Sequence, residues 1–434
     1  LSLFACLALL LASCGSDAKS DSSDGGSGGS GSSGESADGV VKAAWVYVGP
    51  INDGGWTQAH DEGRQYAEKE LGDKVQTTYK ENVPEGAEAT QTIEDLIKDG
   101  NQIIFATSFG YGDALAELAK KYPDVKFEHA TGATTADNLA TYYGASEDTI
   151  YLTGLAAGAA SKTGKIGFVA PFPIPEVIRH INAFAIGAKE ANPDATVKVV
   201  WTNTWFDPTT ERQAADSLVS AGVDVLASGQ DSPATGEAAK AADLPFVGYD
   251  SDQSENFPDN WLTASLYHWG PYYTERIKAV ADGTWKTGSY YGNLADGFVS
   301  LAPYGKLVDD DTKAAIAKRE DELKSGDFYE FTGPLTDQDG KVRVEDGEKL
   351  TLDDILAMGS WGIAVTLFLL AILWFILPRT DRKKLRTPAV FIGLHLVLLT
   401  VRWALPNDAT YFAVLSPLGV FTVLFASVRA LFLF

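Results

Sequence analysis

The chain has 434 residues, of which 45% are hydrophobic, and its formal net charge at pH 7 is −23. This length allows two or three domains, and the acidic surplus argues against nucleic acid as a ligand because phosphates would be repelled. The two cysteines, Cys6 and Cys14, both lie near the N-terminus. Thiol catalysis and cysteine-ligated metal sites are therefore excluded for the remainder of the chain.

Residues 1–14 are predicted to be a processing signal. The apolar run from Leu3 to Leu11 is shorter than the roughly 20 apolar residues that a membrane span needs. It is closed by Ala12-Ser13-Cys14, and small residues followed by a cysteine resemble a bacterial lipoprotein signal. We expect Cys14 to be lipidated, which anchors the protein at the cell membrane with the rest of the domain on the extracytoplasmic face.

Residues 15–39 consist almost entirely of Gly, Ser and Asp, with few apolar side chains. Such a segment cannot bury enough apolar surface to offset its ordering entropy. It is predicted to be a disordered linker that reaches about 25–30 Å.

From residue 40 to about residue 354, short β-rich runs alternate with helical stretches. The predicted strands are Ala43–Val48, Gln102–Ala106, Lys165–Ala170, Val197–Trp201, Val223–Leu226 and Phe246–Tyr249. The predicted helices are Gln58–Leu71, Glu88–Lys98, Ala114–Lys121, Pro175–Ala191 and Thr209–Ala221. This alternation predicts an α/β fold with parallel sheets covered by helices. The length predicts two lobes, with a break near residues 161–164 and a return near residue 250.

Residues 355–434 are predicted to form a membrane region with about three transmembrane helices. Trp361–Leu377 is apolar and uncharged, and five basic residues follow it within residues 379–386. Residues 388–405 and 411–434 are again largely apolar. The positive-inside rule places the basic loop in the cytoplasm, which agrees with an extracytoplasmic location for the lipid-anchored domain.

Four segments combine polar and aromatic side chains, each after a predicted strand. They are residues 49–57, 107–111, 172–176 and 201–208, with Asn52, Asp53 and Trp56 in the first. A doubly wound sheet presents its ligand-binding loops at the carboxyl ends of its strands. These segments are therefore the candidate binding loops.

The same segments resemble the basic membrane protein family. The resemblance is carried by residues 49–56, 81–87, 106–112, 127–132, 172–177, 205–211 and 331–334. Members of this family are substrate-binding lipoproteins of ABC importers that take up purine nucleosides or nucleobases. The resemblance implies a type I periplasmic-binding-protein fold, with two doubly wound lobes joined by a hinge, and permease and ATPase partners.

The aromatic content also favours a flat ligand, because base–aromatic stacking contributes roughly 1–3 kcal/mol per base. The candidate stacking residues are Trp56, Phe109, Phe172, Trp205 and Trp269. Candidate readers of the polar edge are Asn52, Asp53, Asp207, Asp231 and Asp252, with Ser108 and the backbone at Phe109 and Gly110 adding hydrogen bonds. Carboxylates accept hydrogen bonds from an exocyclic amine or a ring N–H.

Nucleoside-binding relatives hold the ribose hydroxyls with a lysine, and the corresponding stretch here, Thr263–Trp269, contains none. The resemblance therefore implies a free base such as adenine in preference to a nucleoside. No catalytic residue, cofactor or metal site is expected, and His60, His129 and His180 are predicted to be structural.

Three alternatives remain open at this point. Asp53 and Asp207 are also typical of helix caps. The C-terminal apolar runs are compatible with a membrane-anchored ligand-sensing receptor or a channel-fused binding domain. An enzyme such as a nucleoside hydrolase would need a paired-carboxylate metal site.

Overall fold

The computed structural model describes residues 39–337 and 340–358. Two six-stranded sheets, one in each lobe, form its framework, and every strand pair within them is parallel except one at an edge. This confirms the predicted α/β architecture with parallel sheets and two lobes. The predicted signal, residues 15–38 of the linker and residues 359–434 of the membrane region lie outside the described residues.

The first lobe begins with five strands and three helices. They are β1 (Val41–Val46), α1 (Trp56–Leu71), β2 (Val75–Lys80), α2 (Ala87–Lys98), β3 (Ile103–Ala106), α3 (Gly112–Lys121), β4 (Lys126–Ala130) and β5 (Leu139–Gly144). Two elements from later in the chain, α8 (Trp269–Ala281) and β11 (Ser289–Gly292), complete it. Its sheet has the order β11-β5-β4-β3-β1-β2.

The second lobe contains the middle of the chain. Its elements are α4 (Ser146–Ala160), β6 (Lys165–Ala170), α5 (Pro175–Ala191), β7 (Thr196–Trp201), α6 (Pro208–Ser220), β8 (Val225–Ser228), α7 (Ala234–Ala241), β9 (Phe246–Asp250), β10 (Trp261–Tyr267) and β12 (Val299–Leu301). Its sheet has the order β12-β10-β9-β8-β6-β7, in which β12 is antiparallel to β10.

Within residues 39–337 and 340–358, the chain passes between the lobes three times, and two of these passages lie at positions that differ from the prediction. The first passage follows Gly144, because α4 packs against α5 and β10 of the second lobe. The sequence predicted this break near residues 161–164, after α4. The return lies between Tyr267 and α8, which packs on α1, and not near residue 250, because β10 extends the second sheet by one more strand. A third passage joins β11 to β12.

Local sequence explains why the central strands are buried. In β1, Ala43 to Val46 are all fully buried, which is expected where helices cover both faces of a parallel sheet. Trp45 stacks on Phe105 of β3 with ring centroids 4.7 Å apart. The core beneath the cleft is therefore strongly aromatic.

The described chain ends in α9 (Asp310–Ser325), a hairpin of β13 (Leu335–Thr336) and β14 (Val342–Val344), and α10 (Leu352–Leu356). Thr351 and Asp354 form a reciprocal capping box at the start of α10. Within the residues that the structure describes, no helix combines the length and apolar character needed to cross a membrane.

Candidate ligand-binding cleft

A cavity lies between the lobes, where the carboxyl ends of both parallel sheets meet. Its empty space, counted together with its opening to solvent, is about 380 Å³. Its lining comes from the loops after β1, β3, β4, β7 and β8, from the end of β9 and from the first turns of α1 and α5. The lining residues are Val48, Trp56, Ser108, Phe109, Thr131, Glu176, Trp205, Gly229, Asp231 and Tyr249.

The two lobes contact each other beside this cavity. The Ser251 hydroxyl donates a hydrogen bond to the Gly55 carbonyl at 3.0 Å, and the Gln253 amide donates one to the Gly54 carbonyl. Both donors follow β9 in the second lobe, whereas both acceptors precede α1 in the first. The lobes are therefore closed upon each other in this structure.

Trp56 provides a fixed aromatic wall from the first lobe. Its indole Nε1 donates to the Thr107 carbonyl at 2.6 Å. The ring meets Trp269 edge-on at 5.4 Å and Tyr267 edge-on at 5.8 Å. Since these contacts fix the ring, Trp56 presents a surface whose orientation is set before any ligand arrives.

Trp205 provides an aromatic wall from the second lobe. It lies in the loop after β7 and is half-buried. Phe172 packs edge-on against it with ring centroids 5.0 Å apart, but Phe172 does not line the cavity. Phe109 also lines the cavity and is 50% exposed, which places it towards solvent.

Two carboxyl groups line the cavity, and a third lies close by. Asp231 is 5% exposed, and burial together with the charges of Asp53 and Asp250 raises its pKa. Glu176 accepts a hydrogen bond from the Tyr143 hydroxyl at 2.9 Å, and burial raises its pKa although Arg179 opposes the shift. Within the described residues, both oxygens of Asp250 are buried without a hydrogen-bond partner. The cleft is thus rich in carboxyl groups, which accept hydrogen bonds and, when protonated, also donate them.

Comparison with known families gives this arrangement a context. The family model for ABC transporter substrate-binding proteins of the PnrA-like type, Bmp, matches residues 40–326, which is more than half of the chain. The chain belongs to this family. A purine-binding protein of Brucella abortus strain 2308 is 44% identical over 329 residues, which cover 76% of this chain and 94% of that protein.

Two further relatives extend the comparison. One is a Haloferax volcanii protein that carries the provisional name ABC transporter glucose-binding protein TsgA13. It is 38% identical to this chain, and the match covers 68% of this chain and 74% of that protein. The solved structure of an ABC transporter solute-binding protein from Aeropyrum pernix K1 aligns with a TM-score of 0.60. That alignment covers 69% of this chain and 95% of the other at 20% identity, and it shows a shared fold.

In this PnrA-like protein, Asp53 is a helix cap. Its Oδ1 accepts from the backbone N–H of Gly55 and Gln58, and its Oδ2 accepts from that of Thr57, at 2.9–3.0 Å. The side chain is 1% exposed and does not line the cavity. Both carboxylate oxygens are therefore occupied by the start of α1, and the prediction that Asp53 reads a ligand edge is corrected.

Asp207 is also a cap. It accepts from the backbone N–H of Thr209 and Thr210 and from the Thr210 hydroxyl, at the start of α6. These bonds lower its pKa. Asp207 does not line the cavity, so the capping alternative accounts for its position better than the ligand contact that the sequence predicted.

Three other predicted residues also lie outside the cavity lining. Asn52 is exposed in the turn before α1. Asp252 is exposed and accepts from the Ser254 N–H at 2.9 Å. Trp269 is 1% exposed in the aromatic core behind Trp56, because it opens α8 on the face that packs against α1. They do not reach the cavity in this closed arrangement.

The loop that contains Ser108 is held in place by contacts with Glu85 and His129. Glu85 accepts hydrogen bonds from the Ser108 hydroxyl at 2.6 Å and from the Gly110 N–H at 2.9 Å. A Cβ at Gly110 would come within 2.3 Å of the Glu85 carboxyl carbon. His129 contacts the Ser108 carbonyl at 2.9 Å. Ser108 therefore lines the cavity, whereas Gly110 shapes the loop.

The sequence analysis did not single out Thr131, Glu176 or Tyr249 as ligand residues. Thr131 has a positive φ of 59°, and its buried hydroxyl has no partner within the described residues. Thr131 and Glu176 lie within segments that carried the family resemblance, and Tyr249 ends a predicted strand. The signal in the sequence that could have identified them is their position at or after the carboxyl end of a strand in a parallel sheet.

No group of three or more His, Cys, Asp or Glu side chains in the described part of the chain is arranged to hold a metal ion. His60 and His180, which the sequence predicted to be structural, are packed among aromatic and hydroxyl groups. His60 contacts the Tyr273 hydroxyl at 2.5 Å, and His180 contacts the Ser146 hydroxyl at 2.8 Å.

Proposed function

We propose that this protein captures a purine-type ligand between its lobes, with a free nucleobase such as adenine favoured over a nucleoside, and delivers it to an ABC importer. The observation that carries the proposal is that Trp56 and Trp205, one from each lobe, line the same cavity as the carboxyl groups of Glu176 and Asp231. Flat aromatic walls with acceptors at the edge suit a heteroaromatic ring that bears N–H donors.

Stacking supplies affinity and the polar groups supply selectivity. Each base–aromatic contact contributes about 1–3 kcal/mol. A buried acceptor left unpaired costs about 1–3 kcal/mol, so a ligand that lacks the matching donors is rejected. Thr131 and Ser108 add hydroxyl groups that can either donate or accept.

The charge of the lining supports a base over a nucleotide. Among the described residues that line the cavity there is no Lys or Arg, while Glu176 and Asp231 are both acidic. A phosphate would therefore find no compensating cation among these residues. The missing lysine in residues 263–269 likewise removes the group that would hold ribose.

Transport follows from the two-lobed architecture. Three chain passages form the hinge, and bonds such as that from Ser251 to the Gly55 carbonyl connect the lobes beside the ligand. Closure buries the ligand, and the permease then recognises the closed form while its ATPase supplies the energy. The protein binds without catalysing a reaction, and lipidated Cys14 holds it on the extracytoplasmic face of the membrane.

Calorimetric titration of ligand-stripped protein with adenine, guanine, adenosine and glucose tests this proposal. The Brucella relative is named for purines and the Haloferax relative for glucose, so the same experiment separates the two chemistries. Saturable heat with a purine base supports the proposal. Binding of glucose with no response to purines would overturn it.

A further inference from the structure

Five carboxyl groups lie together where the two lobes meet. One comes from the first lobe, before α1, and four come from the second lobe, on α5, on α6, after β8 and at the end of β9. Their charges act on one another. This acid cluster consists of Asp53, Glu176, Glu211, Asp231 and Asp250.

Asp250 is the member of the acid cluster that the fold leaves without support. It is 2% exposed, and within the described residues neither of its side-chain oxygens has a hydrogen-bond partner. Burial without a partner disfavours a charged carboxylate far more than a neutral carboxyl group. Burial and the charges of Glu176 and Asp53 accordingly raise the pKa of Asp250.

Three other members receive hydrogen bonds that favour a carboxylate. Asp53 accepts from three backbone N–H groups at the start of α1. Glu176 accepts from the Tyr143 hydroxyl at 2.9 Å. Glu211 accepts from the Ser232 hydroxyl and from the Asp207 N–H. A proton that enters the acid cluster is therefore best placed on Asp250.

The remaining titratable and charged neighbours do not replace that proton. Tyr249 on β9 and Tyr267 on β10 feel the Asp250 charge, and burial raises the pKa of both hydroxyls, so they stay neutral. The His180 ring lies 6.3 Å from that of Tyr249, and burial lowers its pKa, so it is also neutral. Arg179 on α5 opposes the shift at Glu176 but forms an ion pair with Glu147 at 3.0 Å.

Closure of the lobes assembles the acid cluster. Asp53 and Gly55 belong to the first lobe, and Gly55 packs against the Asp231 backbone of the second. Ser251, which follows Asp250 directly, donates to the Gly55 carbonyl at 3.0 Å. Opening would separate Asp53 from the other four groups and let water reach them, and each change favours ionisation. The closed form therefore binds more protons than the open form.

We infer that closure of the cleft takes up protons, chiefly on Asp250, so that the closed form and ligand capture are favoured at low pH. The sign follows from linkage, because the form that binds more protons gains stability as the pH falls and loses it as the pH rises. This inference concerns the closing motion and goes beyond the identity of the ligand.

Calorimetric titration of ligand-stripped protein with adenine, in phosphate and in Tris buffer at the same pH, counts the protons exchanged on binding. Wild type should take up protons. Its affinity should fall between about pH 6 and pH 8, where ordinary carboxyl groups are already ionised, by at most about tenfold per pH unit for each proton. Adenine itself stays neutral in this range. Binding without net proton uptake would overturn the inference.

Asp250→Asn tests the residue assignment, because asparagine has nearly the same shape and does not titrate in this range. D250N should take up fewer protons than wild type, and its affinity should depend less on pH. The matched control, Asp252→Asn, alters an exposed aspartate two residues away and should behave as wild type. Equal proton uptake in D250N and wild type would overturn the role of Asp250.

The inference and the proposed function fail in distinguishable ways. If wild type binds adenine without taking up protons, purine capture stands and proton-linked closure is wrong. If wild type binds no purine, the proposed function fails, and small-angle X-ray scattering of the ligand-free protein decides the inference. Its radius of gyration should then decrease as the pH falls, and a constant radius would overturn the inference. If D250N does not fold, the proton uptake of the wild type decides.

Discussion

Gly55 and Asp231 pack backbone to backbone across the two lobes. A Cβ at Gly55 would lie 2.8 Å from the Asp231 Cα and 3.1 Å from its carbonyl oxygen. The absence of a side chain at position 55 is therefore what allows the first lobe to approach the second this closely. The contact joins the two lobes in the closed cleft seen here.

Replacing Gly55 with Ala should weaken ligand binding about tenfold or more, because overpacking costs about 1–3 kcal/mol and here the cost falls on the closed form. Calorimetry with the bound purine measures the loss. Gly288→Ala is the control, since a Cβ at that position meets nothing within 4 Å. Equal affinities for G55A and wild type would show that closure does not need this contact.

Trp205→Ala should weaken purine binding by about tenfold, because one stacking face worth about 1–3 kcal/mol is removed. Trp205→Phe retains a ring and should recover most of the affinity. Phe172→Ala should have a smaller effect, since Phe172 supports the Trp205 ring without lining the cavity. Titration calorimetry on the three variants gives the order of their purine affinities. A larger loss in F172A than in W205A would show that the wall is assigned to the wrong residue.

Trp56→Ala should weaken binding at least about tenfold for the same reason. It also removes the hydrogen bond from the indole to the Thr107 carbonyl, so the unfolding midpoint must be measured beside the affinity. Loss of affinity with a folded protein supports a stacking role. Unchanged affinity would place the aromatic wall elsewhere.

Asp53→Ala should lower the free energy of unfolding by about 1–2 kcal/mol, as expected for loss of a helix cap. Asp53→Asn keeps one acceptor and should lose less. Asp252→Ala, an exposed aspartate, should change stability by less than about 0.5 kcal/mol. Denaturant unfolding measures all three. If D53N weakened ligand binding strongly while leaving stability intact, Asp53 would be a ligand contact after all.

The free energy of unfolding should fall as the pH rises, because the buried carboxyl group of Asp148 near the hinge loses its proton. Burial and the Glu147 charge raise the pKa of Asp148 from 3.8 to about 8, and the Glu330 charge is a close neighbour. An acid whose pKa is higher in the folded state binds more protons there. Its contribution to the free energy of unfolding is therefore retained below pH 4 and is lost as the pH rises towards about 8.

Asp148→Asn removes this titration. Its unfolding midpoint should match wild type in acid and exceed it increasingly up to about pH 8, in a thermal unfolding series over pH. A difference between the two proteins that is independent of pH would contradict the raised pKa of Asp148.

The sequence predicted the framework well because the elements that build it are strongly patterned. The strand Lys165–Ala170 and the helix Pro175–Ala191 have the predicted bounds. Their apolar residues follow the strand and helix periods, and Pro175 opens its helix where a missing N–H is tolerated. Local signals of this kind are sufficient to predict whether a segment forms a strand or a helix.

The passages between lobes could not be placed from sequence. Nothing in the composition around Gly144 and Ala145 marks the first passage, because α4 continues the same strand–helix rhythm in the other lobe. Which lobe receives a helix is decided by packing, here that of α4 on α5. Such contacts between distant segments have no local signature.

The candidate binding site was predicted only in part, again because the contacts that decide a side chain's role are not visible in the local sequence. Trp56, Ser108, Phe109, Trp205 and Asp231 do line one cavity. Asp53 and Asp207 were indistinguishable from ligand groups because a cap and a binding carboxylate occur at the same place, between a strand and a helix. The difference is which N–H groups the oxygens meet, and only the folded backbone decides that.

Titration of ligand-stripped protein with adenine, followed by calorimetry, tests the central claim most directly. We expect saturable binding that weakens about tenfold when either Trp56 or Trp205 is replaced by Ala. Absence of heat with adenine, guanine and adenosine, from protein that is folded and free of bound ligand, would contradict it.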